Sequence, residues 1–268
     1  MLDSLLFAKI VTSVCAVVAL SLIAEHVSPR TAGILSGYPI GAAITLFFYG
    51  LEISPSFASR GAVYTPLGLI AVQSFLYSYV TISSILRRKT LPLAAIASVL
   101  VFLAVSWLMQ LLSVGPITVS LGAAASIPVF LFLMHHIPDS TIEQAIAISH
   151  RVLLVRALIA AAIIVLIISL ARTLGPQWAG VLSAFPSTIL PLVIIVHATY
   201  GKHHAHTILK HAPRGLGAII AYALTVHVTY PTIGIYAGTG AAFGSATVYL
   251  IVYSAAVRMA GRWGPHHS

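Results

Sequence analysis

The sequence predicts an all-α fold: a polytopic transmembrane helix bundle of about nine spans, arranged as an inverted-topology repeat of four helices, a linking helix and four more. Three observations predict it: a charge-poor apolar composition, a series of apolar runs about 20 residues long, and one short stretch that occurs twice. Hydrophobic residues make up 59% of the chain and charged residues 7%, against about 25% charged in soluble domains. A chain of this size cannot enclose so much apolar surface in its own core, so the bilayer must be its solvent. The net charge of +9 lies between apolar runs, where basic residues set membrane orientation rather than bind nucleic acid. A single cysteine, Cys15, leaves no disulfide framework and no cysteine metal site within one chain.

The elements follow in order. Span 1 covers Leu5 to Ala24; no basic leader precedes it, since Asp3 comes first and Lys9 lies inside, so it is read as a retained helix rather than a signal peptide. Span 2 covers Thr31 to Leu51 and is interrupted by Gly37 and Pro39. Span 3 runs from Gly61 to Leu86 and stops at Arg87-Arg88-Lys89; span 4 runs from Leu93 to Leu112. The Gly115-Pro116 turn opens span 5, which ends near Met134. His135 to His150 is a polar linker in which Ser140 and Glu143 have capping-box spacing. Span 6 covers Val152 to Leu170, and span 7 covers Trp178 to Tyr200 with Pro186 and Pro191 inside. Gly201 to His211 reads as a basic, histidine-rich loop. Span 8 runs from Pro213 to Tyr230, span 9 from Thr232 to Val257, and a basic tail follows. The expected units are a first repeat over 1–112, a linking helix and linker over 113–150, and a second repeat over 151–268.

The repeated stretch is AEHVSPRTAGILSGYP from Ala24 to Pro39 and ARTLGPQWAGVLSAFP from Ala171 to Pro186, with seven identities and no gap at an offset of 147. The same offset pairs Lys9 with Arg156. Further on, at an offset of 154, Ser59-Arg60-Gly61 matches Pro213-Arg214-Gly215, and Gln73 falls opposite His227. Five spans separate equivalent points, an odd number, so the copies are expected to be inverted across the membrane, as in many secondary transporters. With the N-terminus outside and the C-terminus cytoplasmic, eleven Lys or Arg residues fall inside and three outside, the bias expected of an inner-membrane protein.

The candidate site is the duplicated break. Ser36, Gly37, Tyr38 and Pro39 interrupt span 2; Ser183, Phe185 and Pro186 interrupt span 7. Interrupted helices at matching places in two halves point to a binding site between them, with hydroxyls from the serines and an aromatic wall from Tyr38 and Phe185. The same residues also suit close helix packing around a simple kink. Gln73 and His227, polar groups at mid-span, either face a pathway or tie helices together. Lys9 and Arg156 either attract an anion or snorkel to the interface. Arg60 and Arg214 read as helix-end anchors. No Asp or Glu lies deep in a span, which argues against a cation pump or a carboxylate-driven antiporter. His203, His204 and His206 are weak metal candidates, with a solvated basic loop as the plainer reading. Gly234, Gly238, Gly240 and Gly244 give span 9 small faces for contact within or between subunits, a route to a homo-oligomer. The chain carries no nucleotide loop, HExxH or nucleophile elbow, so no enzyme activity and no cofactor are expected.

Ala32 to Pro39 and Ala179 to Pro186 together resemble the duplicated GLLSxxP-type element of bacterial polytopic inner-membrane proteins of uncharacterised function, and more distantly GlpM-type membrane proteins, which are similar to a single repeat. The resemblance implies a polytopic bacterial membrane protein and brings no substrate or catalytic residue with it. The leading expectation is a small transporter or exporter of a neutral or anionic organic solute. A membrane scaffold or assembly protein, and divalent-metal handling by the histidine loop, are the alternatives.

Overall fold

The computed structural model describes residues 2–25, 27, 29–85, 91–111, 115–140 and 150–262. The Arg87-Arg88-Lys89 stop, Glu143 of the capping box and the His266-His267 pair lie outside them. The described residues form helices and connecting turns, with no strand among them. In chain order these are α1 (Leu2–Glu25), α2 (Pro29–Ser36), α3 (Ile40–Glu52), α4 (Pro55–Ala62), α5 (Thr65–Ile85), α6 (Leu91–Gln110), α7 (Pro116–Leu133), α8 (His150–Ser183), α9 (Ile189–Tyr200), α10 (Lys202–His211), α11 (Pro213–Ile233) and α12 (Ile235–Arg262).

Among the described residues six segments are long and apolar enough to cross a membrane: Thr31–Glu52, Thr65–Ile85, Leu91–Gln110, Arg151–Ser183, Pro213–Ile233 and Ile235–Ala256. Ser4–Ala19, Ile117–Leu133 and Ile189–Tyr200 are apolar but shorter. The outer faces of α1, α6, α7, α8 and α12 expose large apolar side chains, among them Phe7 at 69%, Trp107 at 59%, Ile117 at 76% and Ile251 at 63%. A surface of that kind is stable in hydrocarbon and not in water. The chain is therefore an integral membrane protein.

Two spans are broken, as the proline positions imply. Span 2 divides into α2 and α3 at Gly37 to Pro39, and span 7 divides at Ala184 to Thr188 into the end of α8 and α9. Within α8 the axis turns at Gly175, whose φ of 78° is open to glycine and strained for other residues, with Pro176 starting the next segment. Two elements differ from the sequence reading. Gly201 to His211 is not a loop: α10 carries Ala205, Ile208, Leu209 and Ala212 at helical spacing, and all four are buried. The stretch before Gly61 holds α4, started by Ser54, whose Oγ accepts from the Phe57 N–H at 3.0 Å, with Pro55 at the first position.

Among the described residues the interior holds two small apolar clusters, Val17 with Ala157 and Ala160, and Leu67 with Val119 and Val181, and two large ones. One joins α5 to α9 and α10 through Phe75, Leu76, Leu192, Val193, Ile208 and Leu209. The other joins α11 to α3 and α4 through Tyr222, Val226, Leu46, Tyr49, Phe57 and Ala58, with Ile164 and Ile168 of α8 behind. In each large cluster a long helix from one half of the chain is packed by a broken-helix limb and a short helix from the other. Leu182 and Phe185, from the second break, lie against both clusters.

Candidate functional site

The two breaks have the same local structure. Gly37 N–H donates to Ile34 O (3.1 Å), Tyr38 to Leu35 O (2.9 Å), Ile40 to Tyr38 O (2.8 Å) and Ala43 to Pro39 O (2.7 Å). At the offset of 147, Ala184 donates to Val181 O (3.2 Å), Phe185 to Leu182 O (2.9 Å), Ser187 to Phe185 O (2.6 Å) and Leu190 to Pro186 O (2.9 Å). The carbonyls of Leu35 and Leu182, which a proline N–H cannot reach, are satisfied by this tighter three-residue turn. Ser36 Oγ donates to Gly33 O at 2.6 Å and Ser183 Oγ to Gly180 O at 2.7 Å, again in register. The hydroxyl protons are thus spent on the helices, which leaves oxygen lone pairs as the polar face each break offers.

Glycines let the breaks sit against helices of the opposite half. A Cβ on Gly37 would fall 2.6 Å from the Gly215 carbonyl carbon, and one on Gly180 would collide with the Gly61 carbonyl oxygen. Between the breaks lies a cavity of about 30 Å³, lined by Ser36, Pro39, Ser183, Phe185, Pro186 and Thr188 among others. That is room for one water. Ser183 Oγ is also 2.9 Å from Thr65 Oγ1, a buried pair that extends the polar face toward the α4–α5 turn. Among the described residues no Asp, Glu, Lys, Arg or His lines this cavity, so they form a neutral, acceptor-rich chamber.

The aromatic residues Tyr38 and Phe185 line the chamber and each also meets a ring of another helix. Tyr38 stacks on Phe243 of α12 with centroids 6.0 Å apart, and its hydroxyl is 2.9 Å from Thr247 Oγ1. Phe185 meets Phe102 of α6 edge-on at 5.1 Å. Tyr38 also borders a lateral apolar cleft of about 680 Å³ between α1, α3 and α12.

The remaining sequence candidates lie elsewhere. Gln73 Nε2 donates to Ser126 Oγ of α7 at 2.7 Å, so Gln73 ties the linking helix to α5 and does not line the chamber. His227 pairs with Ser59 of α4: its Nδ1 is 3.1 Å from Ser59 O, and Ser59 Oγ donates to His227 O at 2.7 Å. Lys9 is paired with Glu52 at 2.7 Å, and Arg172 Nη2 donates to Glu52 O at 2.8 Å. Arg156 is buried in α8. The three loop histidines diverge on α10. His203 is exposed and His204 half-buried; His206 is buried, with Nε2 2.8 Å from Ser83 Oγ. Among the described residues no group of three His, Cys, Asp or Glu side chains is placed to hold a metal ion. Of the span 9 glycines, Gly238 packs on Thr229 and Tyr230, while Gly240 and Gly244 face open space.

Thr65 and Thr188 went unnoticed in the sequence because a threonine in an apolar run carries no periodic signal. Thr65 had one pointer: it follows Gly61 of the Arg60-Gly61 repeat position by about one helical turn. No protein-family model, curated protein or solved structure matches the chain.

Proposed function

We propose that the chain is a small secondary transporter or exporter of a small organic solute, with α2–α3 and α8–α9 forming a gate between two inverted halves. The observation that carries this reading is that both copies of the break meet around one chamber, with matching hydrogen bonds, although 147 residues separate them in sequence. A chamber with room for one water corresponds to an occluded state. Access would alternate as one half rocks on the other. The reading needs no catalytic residue and no cofactor.

The nine spans on this reading are α1, α2 with α3, α5, α6, α7, the limb of α8 before Gly175, the limb of α8 after it with α9, α11 and α12. An outside N-terminus and a cytoplasmic C-terminus are supported by the charge bias of the sequence. The ion pairs fit the alternation of these spans: Lys9 and Arg172 meet Glu52 where the sequence puts one side of the membrane, and Lys210 and His211 meet Asp139 where it puts the other.

Cysteine accessibility tests the proposal. Cys15→Ser removes the native thiol, and Ser36→Cys and Ser183→Cys each place a probe in the chamber. Impermeant thiol reagents applied from each side should label the two sites from opposite sides, and candidate solutes should alter both rates. Full protection of both sites in folded protein would leave a sealed packing core and favour a scaffold.

A further inference from the structure

A second cavity, of about 530 Å³, opens where the α4–α5 turn, the end of α6, the Gly175 turn of α8 and the last turns of α11 converge. Its wall includes Arg60, Tyr64, Gln110, Gln177, Trp178 and His227. Arg60 reads from sequence as a helix-end anchor; here it is exposed, borders the cavity and has no ion pair or hydrogen bond among the described residues. Gln110 Nε2 is buried and without a partner among them. Since Nδ1 of His227 is occupied by Ser59, Nε2 is its remaining polar atom for the cavity. Among the described residues no Asp or Glu lines the wall.

A partnerless guanidinium with amide donors around it and no acid to neutralise it selects an anion, and the planar fork of arginine suits a carboxylate best. The apolar part of the lining, with Tyr64, Trp178, Val63 and Leu174, suits an apolar or aromatic body. A volume of about 530 Å³ falls within the range of small-molecule sites, roughly 300–1,000 Å³. We propose that this cavity binds a small organic carboxylate with an apolar or aromatic portion, the carboxylate on Arg60 and Gln110 and the body against Trp178. The floor connects to the gate: Tyr64 packs by Gly180, and its neighbour Thr65 touches Ser183 of the closed chamber. In calling the carboxylate a cargo at its docking site, the inference rests on the transport reading. Binding itself does not.

Trp178 supplies the readout. With Trp107→Phe and Trp263→Phe it is the sole tryptophan. In phosphatidylcholine nanodiscs, benzoate and phenylacetate should change its emission saturably. Benzamide and phenylacetamide should bind at least tenfold more weakly. Arg60→Gln should weaken carboxylate binding at least tenfold and leave the amides unchanged. Arg60→Lys, which keeps charge without the fork, should fall between. Gln110→Ala should cost about threefold to tenfold, and Arg172→Gln, which is outside the cavity, nothing. Circular dichroism and thermal midpoints confirm that each variant is folded. Absence of a saturable change, equal binding of acids and amides, or unaltered binding in folded Arg60→Gln would overturn the proposal. So would an Arg60-dependent shift caused by phosphatidylglycerol in the disc that benzoate cannot compete away, which assigns the cation to a lipid headgroup. Carboxylate binding with sealed cysteines at 36 and 183 would remove transport but keep this site; accessible cysteines without carboxylate binding would do the reverse.

Discussion

Glycines divide into two kinds in this protein, and the division can be tested residue by residue. At Gly180 and Gly61 two backbones approach so closely that a methyl group on Gly180 would strike the opposing carbonyl. Backbone cannot yield as a flexible side chain can, so Gly180→Ala should destabilise by about 3 kcal/mol or more. At Gly240 a methyl group meets nothing within 4 Å. There the higher helix propensity of alanine should leave stability unchanged or raise it by up to about 1 kcal/mol. Thermal unfolding of the two variants in one detergent checks both. Equal effects would mean that the α4–α8 contact is looser than described. The serines of the breaks follow the same logic of position: their hydroxyls are bound to carbonyls three residues back. The chamber therefore offers a ligand oxygen lone pairs from Ser36 and Ser183 rather than donors.

At the scale of the element, α10 shows where titration enters. His206 lies on its buried face, outside the apolar spans, and burial, assisted by His197, His203 and Lys202, pushes its pKa down to about 4. Folded protein thus keeps His206 neutral where the unfolded chain, with an ordinary value near 6.5, takes up a proton. The unfolded state binds more protons in that window, so this contribution to stability is complete above about pH 6.5 and is lost progressively as pH falls to about 4. The loss cannot exceed ~1.4 kcal/mol per pH unit. His206→Gln should flatten that part of the stability profile measured by thermal midpoint against pH. The same helix marks what the sequence concealed. Its charge and histidine content read as a loop, although Ala205, Ile208, Leu209 and Ala212 already held a helical stripe. The broken spans were legible, because proline and glycine act locally and the duplication repeated the signal. The partners of Lys9, Gln73 and His227 were not. Each is chosen by a helix distant in sequence, Glu52, Ser126 and Ser59 respectively, and no single-sequence pattern encodes that choice. The cavity around Arg60 was hidden for the same reason, since four separate elements build it.

In the whole molecule the two halves exchange parts. α5 is packed by α9 and α10, while α11 is packed by α3 and α4. Neither half holds a complete core, so residues 1–140 expressed alone should fail to give a stable, monodisperse protein, and co-expression with 141–268 should restore one. Size-exclusion profiles of the separate and paired fragments decide it, and a stable isolated first half would contradict the crossed packing. The crossing also sets a schedule for biogenesis. α4 ends at Ala62, but α11, which completes its cluster, begins at Pro213. At a synthesis rate of roughly 5–20 residues per second, that interval of about 150 residues lasts on the order of 10–30 seconds. Throughout it Ser59 waits for His227, and for most of it Thr65 waits for Ser183. The nascent first half must be sheltered in the translocon, by an insertase or at the lipid surface until the second half arrives, so the last step of maturation is the closing of the molecule around its own beginning.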